Sequence, residues 1–215
     1  MRWGTTEFPQ HNGLRRRLKS TAARVATTVI PSDWALFVKA LCRGPQSIGA
    51  ACPSSRYLAD YVAAQAVMSS DGYVVELGAG TGVVTAALLA RGLAADRLIV
   101  VEKSALLAAH LRARFPKVLI LEGDAAQLAD LLGQRAQDVS AVVSSLPLKS
   151  LPKMTVARIG NEIDRILPRG GLFIQFTYSL GCRALDWAHD VTCLHSHMIW
   201  RNLPPARVNV FAWGS

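Results

Sequence analysis

The chain has 215 residues, of which 51% are hydrophobic and 18% are charged. This composition is typical of a folded protein with one main domain and excludes a disordered, highly charged chain. No apolar run approaches the roughly 18 residues of a spanning helix, so we expect no membrane-spanning segment. The cysteines at positions 42, 52, 182 and 193 form no C-x-x-C pair. Their spacing argues against a zinc module or a disulfide framework and favours a reducing, cytoplasmic compartment.

The net charge of +9 is unevenly distributed. Residues 1–60 hold nine basic and three acidic residues, whereas the rest of the chain carries a net charge of +3. This basic excess indicates a polyanionic partner, either nucleic acid or an anionic membrane, or else an ordinary solvated face. Residues 14–30 have the pattern of an amphipathic helix and lack the apolar core of a signal peptide. The sequence therefore divides into a basic amphipathic arm with a helix, residues 1–43, and a main domain, residues 44–215.

From residue 72 onward, short β-branched runs alternate with helical stretches, as in βαβ units whose parallel sheet is covered on both faces. The predicted strands are residues 73–77, 98–102, 118–121, 140–144, 172–178, 193–199 and 208–213. The predicted helices are residues 56–68, 82–90, 105–115, 126–132 and 155–166. Because the last two strands follow each other without a helix, we expect one of them to run antiparallel.

A glycine-dense turn follows the first predicted strand. Gly78, Gly80 and Gly82 allow a tight turn and a close approach to a ligand, and the next helix presents its N-terminal amides. Glu102 lies 20 residues after Gly82, where a carboxylate can accept both hydroxyls of a ribose. Asp124 follows the third strand and can bind an adenine amino group. The G-x-G-x-G spacing suits a cofactor without a pyrophosphate; the alternative is a structural turn with incidental acids.

These residues resemble the first three motifs of the class I S-adenosylmethionine-dependent methyltransferases, at residues 76–82, Glu102 and residues 123–125. The resemblance implies a Rossmann-like α/β fold with a seven-stranded, mostly parallel sheet in the order 3-2-1-4-5-7-6, including one antiparallel strand. It also implies S-adenosylmethionine as the cofactor. The cofactor-binding residues expected on this basis are Glu76, Gly78, Gly80, Gly82, Glu102, Asp124, Ala125 and Ser144.

The fourth predicted strand ends in a turn, residues 144–148, at the carboxyl edge where open α/β sheets bind ligands. This turn is similar to the Asn-Leu-Pro-Tyr element of the rRNA adenine dimethyltransferases, but Ser145 and Leu148 stand at its asparagine and tyrosine positions. It therefore lacks the amide that binds an adenine amine and the ring that stacks on a flipped base. Adenine N6-dimethylation of rRNA is the enzymatic alternative, favoured by the basic charge.

An aliphatic amine poses a different problem. Only about a thousandth of it is neutral at pH 7, which costs roughly 4 kcal/mol before attack. Tyr178, at the end of the fifth predicted strand, can face such an amine through a hydrogen bond or a cation–π contact. We expect Tyr178 and Ser145 to be the catalytic residues. The alternative for Tyr178 is a partly buried structural tyrosine.

Three segments, residues 49–55, 144–148 and 200–208, resemble the peripheral bacterial phospholipid N-methyltransferases. That resemblance implies successive methylation of phosphatidylethanolamine toward phosphatidylcholine at the inner face of the membrane, with residues 14–43 on the anionic leaflet and nucleic acid not expected as a partner. The substrate-binding residues expected on this basis are Ser54, Ser55, Arg56, Leu146, Pro147, Leu148 and Arg201. Helix capping is the alternative for the serines. Arg201 and Arg207 are alternative phosphate partners, or else edges of the last hairpin. The non-enzymatic alternative is a protein that senses the cofactor and binds lipid or RNA without turnover.

Cys193, His195 and His197 recur with period two on the sixth predicted strand, so a metal site has to be considered. Direct methyl transfer needs no metal, and no nearby carboxylate completes a ligand set. We therefore expect no metal, and a half-exposed strand explains the pattern.

Overall fold

The computed structural model describes residues 54–67, 72–178, 188 and 190–214. The predicted arm, its contact with a membrane and the domain boundary at residue 44 lie outside these residues, as do residues 49–53. The described helices are α1 (Arg56–Val67), α2 (Val83–Ala90), α3 (Ala105–Arg114), α4 (Leu128–Leu132) and α5 (Lys153–Ile166). The described strands are β1 (Tyr73–Leu77), β2 (Leu98–Glu102), β3 (Leu119–Glu122), β4 (Val139–Ser144), β5 (Leu172–Thr177), β6 (Val191–Ile199) and β7 (Ala206–Trp213).

Each strand and helix predicted from residue 56 onward is present and ends within two residues of its predicted limits. The start of α5 shows how such differences arise. The carbonyl of Pro152 accepts hydrogen bonds from the amides of Thr155 and Val156, at 2.9 and 3.1 Å. Proline is tolerated at the start of a helix because the first amides have no partner there, so α5 begins directly after Pro152 rather than at Thr155.

The seven strands form one sheet in the order β3-β2-β1-β4-β5-β7-β6. The pairs among β1 to β5 are parallel, and β7 runs antiparallel to both of its neighbours. This confirms the predicted strand order and the single reversed strand. Consequently β1 to β5 and β6 all end at one edge of the sheet, called the carboxyl edge below, and β7 begins there.

The sheet separates two apolar cores. On the face covered by α1, α2 and α3, the core includes Val74 of β1 and Ile174 of β5. On the opposite face, covered by α4 and α5, it includes Val75 and Phe173. We call these the α1 face and the α5 face. Neighbouring residues of one strand point to opposite faces, and each large side chain buried this way contributes about 1.5–3 kcal/mol.

Cross-strand register aligns the residues at the carboxyl edge. Leu77 at the end of β1 pairs with Val101 and with Ser144, Ser144 pairs with Gln175, and Glu102 pairs with Glu122. Within the described residues, no helix is long and apolar enough to cross a bilayer.

Candidate active site

The glycine-dense turn adopts backbone conformations that explain its composition. Gly78 and Gly82 have φ angles of +70° and +78°, and a Cβ on Gly82 would lie 2.7 Å from Leu111 Cδ2. Gly80 also has a positive φ, +58°, but no atom lies within 4 Å of the position its Cβ would take. Gly78 and Gly82 therefore allow close packing of neighbouring side chains, while Gly80 borders open space into which a ligand can fit.

Glu102 ends β2 directly beside that turn. Its Oε2 accepts a hydrogen bond from the Gly80 amide at 3.0 Å, and its Oε1 accepts one from the Ser104 amide at 2.9 Å. The side chain is 7% exposed. Because each carboxylate oxygen keeps a second lone pair, Glu102 is held in one orientation and can still accept two hydroxyl donors.

Asp124 occupies the equivalent place after β3. Its Oδ2 lies 2.7 Å from the ammonium of Lys103, and its Oδ1 accepts from the Ala126 amide at 3.0 Å. The hydrogen bond from Lys103, followed by the amide, holds the pKa of Asp124 below its ordinary value. The carboxylate therefore stays ionised as an acceptor, and buried Ala125 leaves no bulky side chain next to it.

Glu76 lies at the base of the site on β1. Thr85 donates a hydrogen bond to its Oε2 at 2.6 Å, while its Oε1 is buried without a partner. Burial, together with the negative charge of Glu102, raises the pKa of Glu76 to about 7. A cationic ligand group here would supply the missing donor and favour the ionised carboxylate.

Two further buried oxygens without partners lie at the end of the neighbouring strand. They are the hydroxyls of Ser144 and Ser145, and the Ser145 amide donates to Leu77 O at 2.9 Å. Leaving buried polar groups unpaired is costly, so these atoms point to a polar ligand as their partner. S-adenosylmethionine fits this set: Glu102 is placed for its ribose hydroxyls, Asp124 for its adenine amino group, and Glu76 for its ammonium.

The residues predicted to bind substrate are spread over two places. Leu146 lies against Gly78, where a Cβ would approach its Cδ2 to 2.6 Å, and Pro147 is half-buried beside it. Leu148 is buried in the core of the α5 face, so its side chain holds the turn in position. Tyr178 follows β5 on the α1 face, with its ring 6.1 Å from Phe176 in an edge-to-face contact.

The second place is the junction between α1 and the β6–β7 turn. The Ser55 hydroxyl accepts from the Leu58 amide at 3.2 Å, which is the capping role considered as its alternative, and Ser54 precedes it. Arg56 is solvent-exposed and lies 3.9 Å from Asp60. Arg201 stacks on Tyr57, 3.9 Å from the ring centre. Their contact with substrate stays a prediction.

The histidines of β6 have structural partners on α1. Nε2 of His195 lies 2.8 Å from Gln65 Oε1, and the ring of His197 stacks on Tyr61 at 4.7 Å. The expectation that Cys193 shares their face is wrong, because a register shift between Cys193 and His195 breaks the two-residue period. Throughout the described ranges, no group of three metal-ligating side chains comes together.

Several residues of the site were not anticipated. Thr85 lies on α2 and bonds to Glu76, and Lys103 follows β2 and bonds to Asp124. The sequence does not reveal that these side chains reach the two carboxylates. Gln175 and Asn209 lie inside apolar strands. Their position could have identified them from the sequence, since a buried polar residue in such a strand needs a hydrogen-bond partner.

Comparisons with known proteins agree with this geometry. Residues 74–171 match the family model described as a methyltransferase domain. The chain is 30% identical over 187 residues to the ornithine lipid N-methyltransferase of Singulisphaera acidiphila, covering 81% of this chain and 93% of that protein.

Solved structures share the fold at low sequence identity. TrmN from Thermus thermophilus superposes with a TM-score of 0.57 at 16% identity, over 73% of this chain and 48% of that one. The magnesium protoporphyrin IX methyltransferase from Synechocystis PCC 6803, with bound S-adenosylmethionine, gives 0.57 at 13% identity, over 74% and 79%. Together with the cofactor motifs and the strand order, these matches show that the chain belongs to the class I S-adenosylmethionine-dependent methyltransferases.

Proposed function

We propose that the chain methylates the amine of phosphatidylethanolamine and of its methylated intermediates, at a membrane surface. The observation that carries the proposal is its 30% identity, over most of both chains, to a lipid N-methyltransferase. The three segments that resemble phospholipid N-methyltransferases favour phosphatidylethanolamine as the substrate. Ornithine lipid is the second candidate, because it is the substrate named for that relative, and its head group also presents a primary aliphatic amine.

The residues at the carboxyl edge suit an aliphatic amine. Leu146, Pro147 and Phe176 are apolar and half-buried, and Tyr178 adds a hydroxyl and an aromatic ring. An apolar surrounding disfavours the ammonium form and so lowers the pKa of the acceptor amine, as methyl transfer requires. A hydrogen bond to Tyr178 would then orient the amine.

Binding and orientation are the chain's main contributions to the reaction. When bound, S-adenosylmethionine supplies an electrophilic methyl group. Glu102, Asp124 and Glu76 are placed to hold it at the ends of three adjacent strands, and Gly80 leaves room for it. Because a direct displacement needs an in-line approach, holding the acceptor over the same edge and excluding water there account for most of the rate enhancement.

A group of exposed residues at the carboxyl edge supports a membrane substrate. Trp200 is 73% exposed and Leu203 is 86% exposed, both in the β6–β7 turn, and Arg201 of the same turn stacks on Tyr57 at the start of α1. Hydrogen bonds from the Ser55 amide to Asn202 Oδ1 and from Asn202 Nδ2 to Pro204 O hold this group together. We call it the turn patch. Aromatic, aliphatic and cationic side chains of this kind suit the interface of an anionic leaflet.

The test is methylation by the purified chain with isotopically labelled S-adenosylmethionine. Vesicles containing phosphatidylethanolamine, vesicles containing ornithine lipid, and unmethylated rRNA are offered in parallel. Label in phosphatidylethanolamine and its mono- and dimethylated forms is the expected result. Label only in ornithine lipid would make ornithine lipid the substrate in place of phosphatidylethanolamine. Label only in rRNA would favour adenine methylation. Binding of lipid or RNA without any label would indicate a sensor without turnover.

A further inference from the structure

A row of polar side chains crosses the sheet near the carboxyl edge, from Ser144 outward beyond the cofactor site. Ser144 of β4 pairs with Gln175 of β5, Gln175 with Asn209 of β7, and Asn209 with Ser196 of β6. Gln175 lies two residues from Phe173, and Asn209 lies two residues from Phe211. Both phenylalanines lie in the core of the α5 face, and every second side chain of a strand points to the same face, so the row belongs to the α5 face. Gln175 is 8% exposed and Asn209 is 6% exposed. Four neighbouring strands thus place polar groups at one level, buried on β4, β5 and β7 and half-buried on β6.

Arg207 lies next to this row, nearer the carboxyl edge. Its Nη1 donates to Ser196 Oγ at 3.1 Å, and Ser196 Oγ donates to Asn209 Oδ1 at 2.7 Å. Its Nε is buried without a partner. The arginines Arg56, Arg112 and Arg165 each pair with a carboxylate, whereas Arg207 has no such pair among the residues that the structure describes.

The orientation of the guanidinium decides what it can bind. Ser196 occupies Nη1, which leaves the edge formed by Nε and Nη2 without a bond. This two-donor edge matches the two oxygens of a phosphate or a carboxylate. A half-buried cation without a counter-charge is unfavourable by itself, so an incoming anion would gain both charge pairing and two hydrogen bonds.

We propose that Arg207, positioned by Ser196 and Asn209, binds the anionic group of the substrate head group. This inference rests on the proposed function and adds the requirement that the acceptor lipid carry a phosphate or a carboxylate near its amine. β7 lies directly beside β5, which Tyr178 follows, at the usual spacing of about 5 Å. The amine would therefore lie at Ser145 and Tyr178 while the anion lies at Arg207, with the head group along the edge.

The experiment combines three variants with three substrates. Arg207→Gln removes the charge, Arg207→Lys keeps it without the two-donor edge, and Arg158→Gln removes an exposed charge on α5 as the matched control. The substrates are phosphatidylethanolamine, ornithine lipid and a double-chain lipid whose aminoethyl group is attached through a neutral ether. All are presented in neutral vesicles, and kcat and KM are measured separately.

For Arg207→Gln we expect kcat/KM on the anionic substrate to fall by about 10- to 100-fold, mainly through KM, with the neutral ether lipid unaffected. Arg207→Lys should lie in between, and Arg158→Gln should match the wild type on every substrate. The anionic lipid that shows the loss identifies phosphate or carboxylate as the source of the anion. An equal loss on anionic and neutral lipids would mean that Arg207 only supports the hairpin, and no loss would remove the site.

A binding measurement separates this inference from the proposed function. Glycerophosphoethanolamine and ornithine are titrated into the wild type and Arg207→Gln with calorimetric detection, in the presence of S-adenosylhomocysteine. Binding by the wild type that is lost in the variant supports the anion site even if no lipid is methylated. Equal binding by both proteins, or none by either, overturns it. If Arg207→Gln does not fold, Ser196→Ala serves instead, with an expected rise in KM of about threefold and an unchanged kcat.

Discussion

The two halves of the sheet differ in how their polar groups are held. In the half formed by β1, β2 and β3, Glu102 and Asp124 each accept a backbone amide hydrogen bond from a loop close by in sequence. In the half formed by β4, β5, β7 and β6, the Ser144 hydroxyl and Arg207 Nε are buried without partners. Apart from Glu76 Oε1, which is also buried without a partner, the cofactor half is thus organised in advance by local contacts, whereas the substrate half keeps polar groups free for a ligand.

The largest effect should come from Glu102→Ala in the organised half. This change removes both ribose acceptors and leaves the amides of Gly80 and Ser104 without their partner, so affinity for S-adenosylmethionine should fall by about 2 kcal/mol, roughly 30-fold, or more. Titration calorimetry measures it. Glu122→Ala is the matched control, because Glu122 pairs with Glu102 in the sheet but contacts Arg112 at the surface. Equal affinity of both variants would contradict the assignment.

The unpaired oxygen of Glu76 predicts a pH dependence. Its pKa is raised to about 7, so the empty folded site holds a proton that the unfolded chain releases above the ordinary value of 4.5. Stability without cofactor should therefore fall as the pH rises from 4.5 to 7, and affinity for the cofactor ammonium should rise about tenfold between pH 6 and pH 8.

Two measurements check the role of Glu76. Thermal unfolding between pH 4.5 and pH 8 reports the stability, and calorimetry at pH 6 and pH 8 reports the affinity. In Glu76→Gln both dependences should disappear. If the variant retains the wild-type pH profile of binding, a group other than Glu76 receives the ammonium.

In the substrate half, Tyr178→Phe should lower turnover by about fivefold, the value of one hydrogen bond, without changing cofactor affinity. Tyr73→Phe removes a hydroxyl at the opposite end of the sheet and should have no effect. Steady-state kinetics with a saturating lipid substrate measure both. Wild-type turnover of Tyr178→Phe would reduce the tyrosine to a packing residue.

The smallest predicted effect concerns the turn patch. Leu203→Asp should reduce sedimentation with anionic vesicles by about two- to threefold, because it places a negative charge at the proposed membrane contact. Leu194→Asp is the matched control, since Leu194 is also an exposed leucine but lies within β6. Equal losses for both variants would indicate a general charge effect rather than a defined contact.

The sequence predicted the cofactor half more completely than the substrate half, for a physical reason. Glu102 ends its strand, and Gly80 and Asp124 closely follow theirs, so their meeting at one edge follows from parallel topology alone. The meeting of Gln175, Asn209 and Ser196 depends instead on the register of two antiparallel pairs, which a pattern of apolar residues does not fix.

The same limit explains the error at β6. The bulge between Cys193 and His195 leaves no mark in the sequence, and it moved Cys193 away from the face of the two histidines. At the start of α1, by contrast, the sequence indicated two roles for Ser55, binding of the substrate and capping of the helix. The structure contains the capping hydrogen bond from the Leu58 amide.

The placement of the last strand has a consequence for synthesis on the ribosome. β7 follows every other strand in the chain, yet it lies between β5 and β6. The half that binds the cofactor can pair its strands while translation continues, but until β7 emerges β5 keeps an unpaired edge and β6 has no neighbour. Because β7 also carries Arg207 and Asn209, the nascent chain can pair the strands of its cofactor half before the proposed anion site can form.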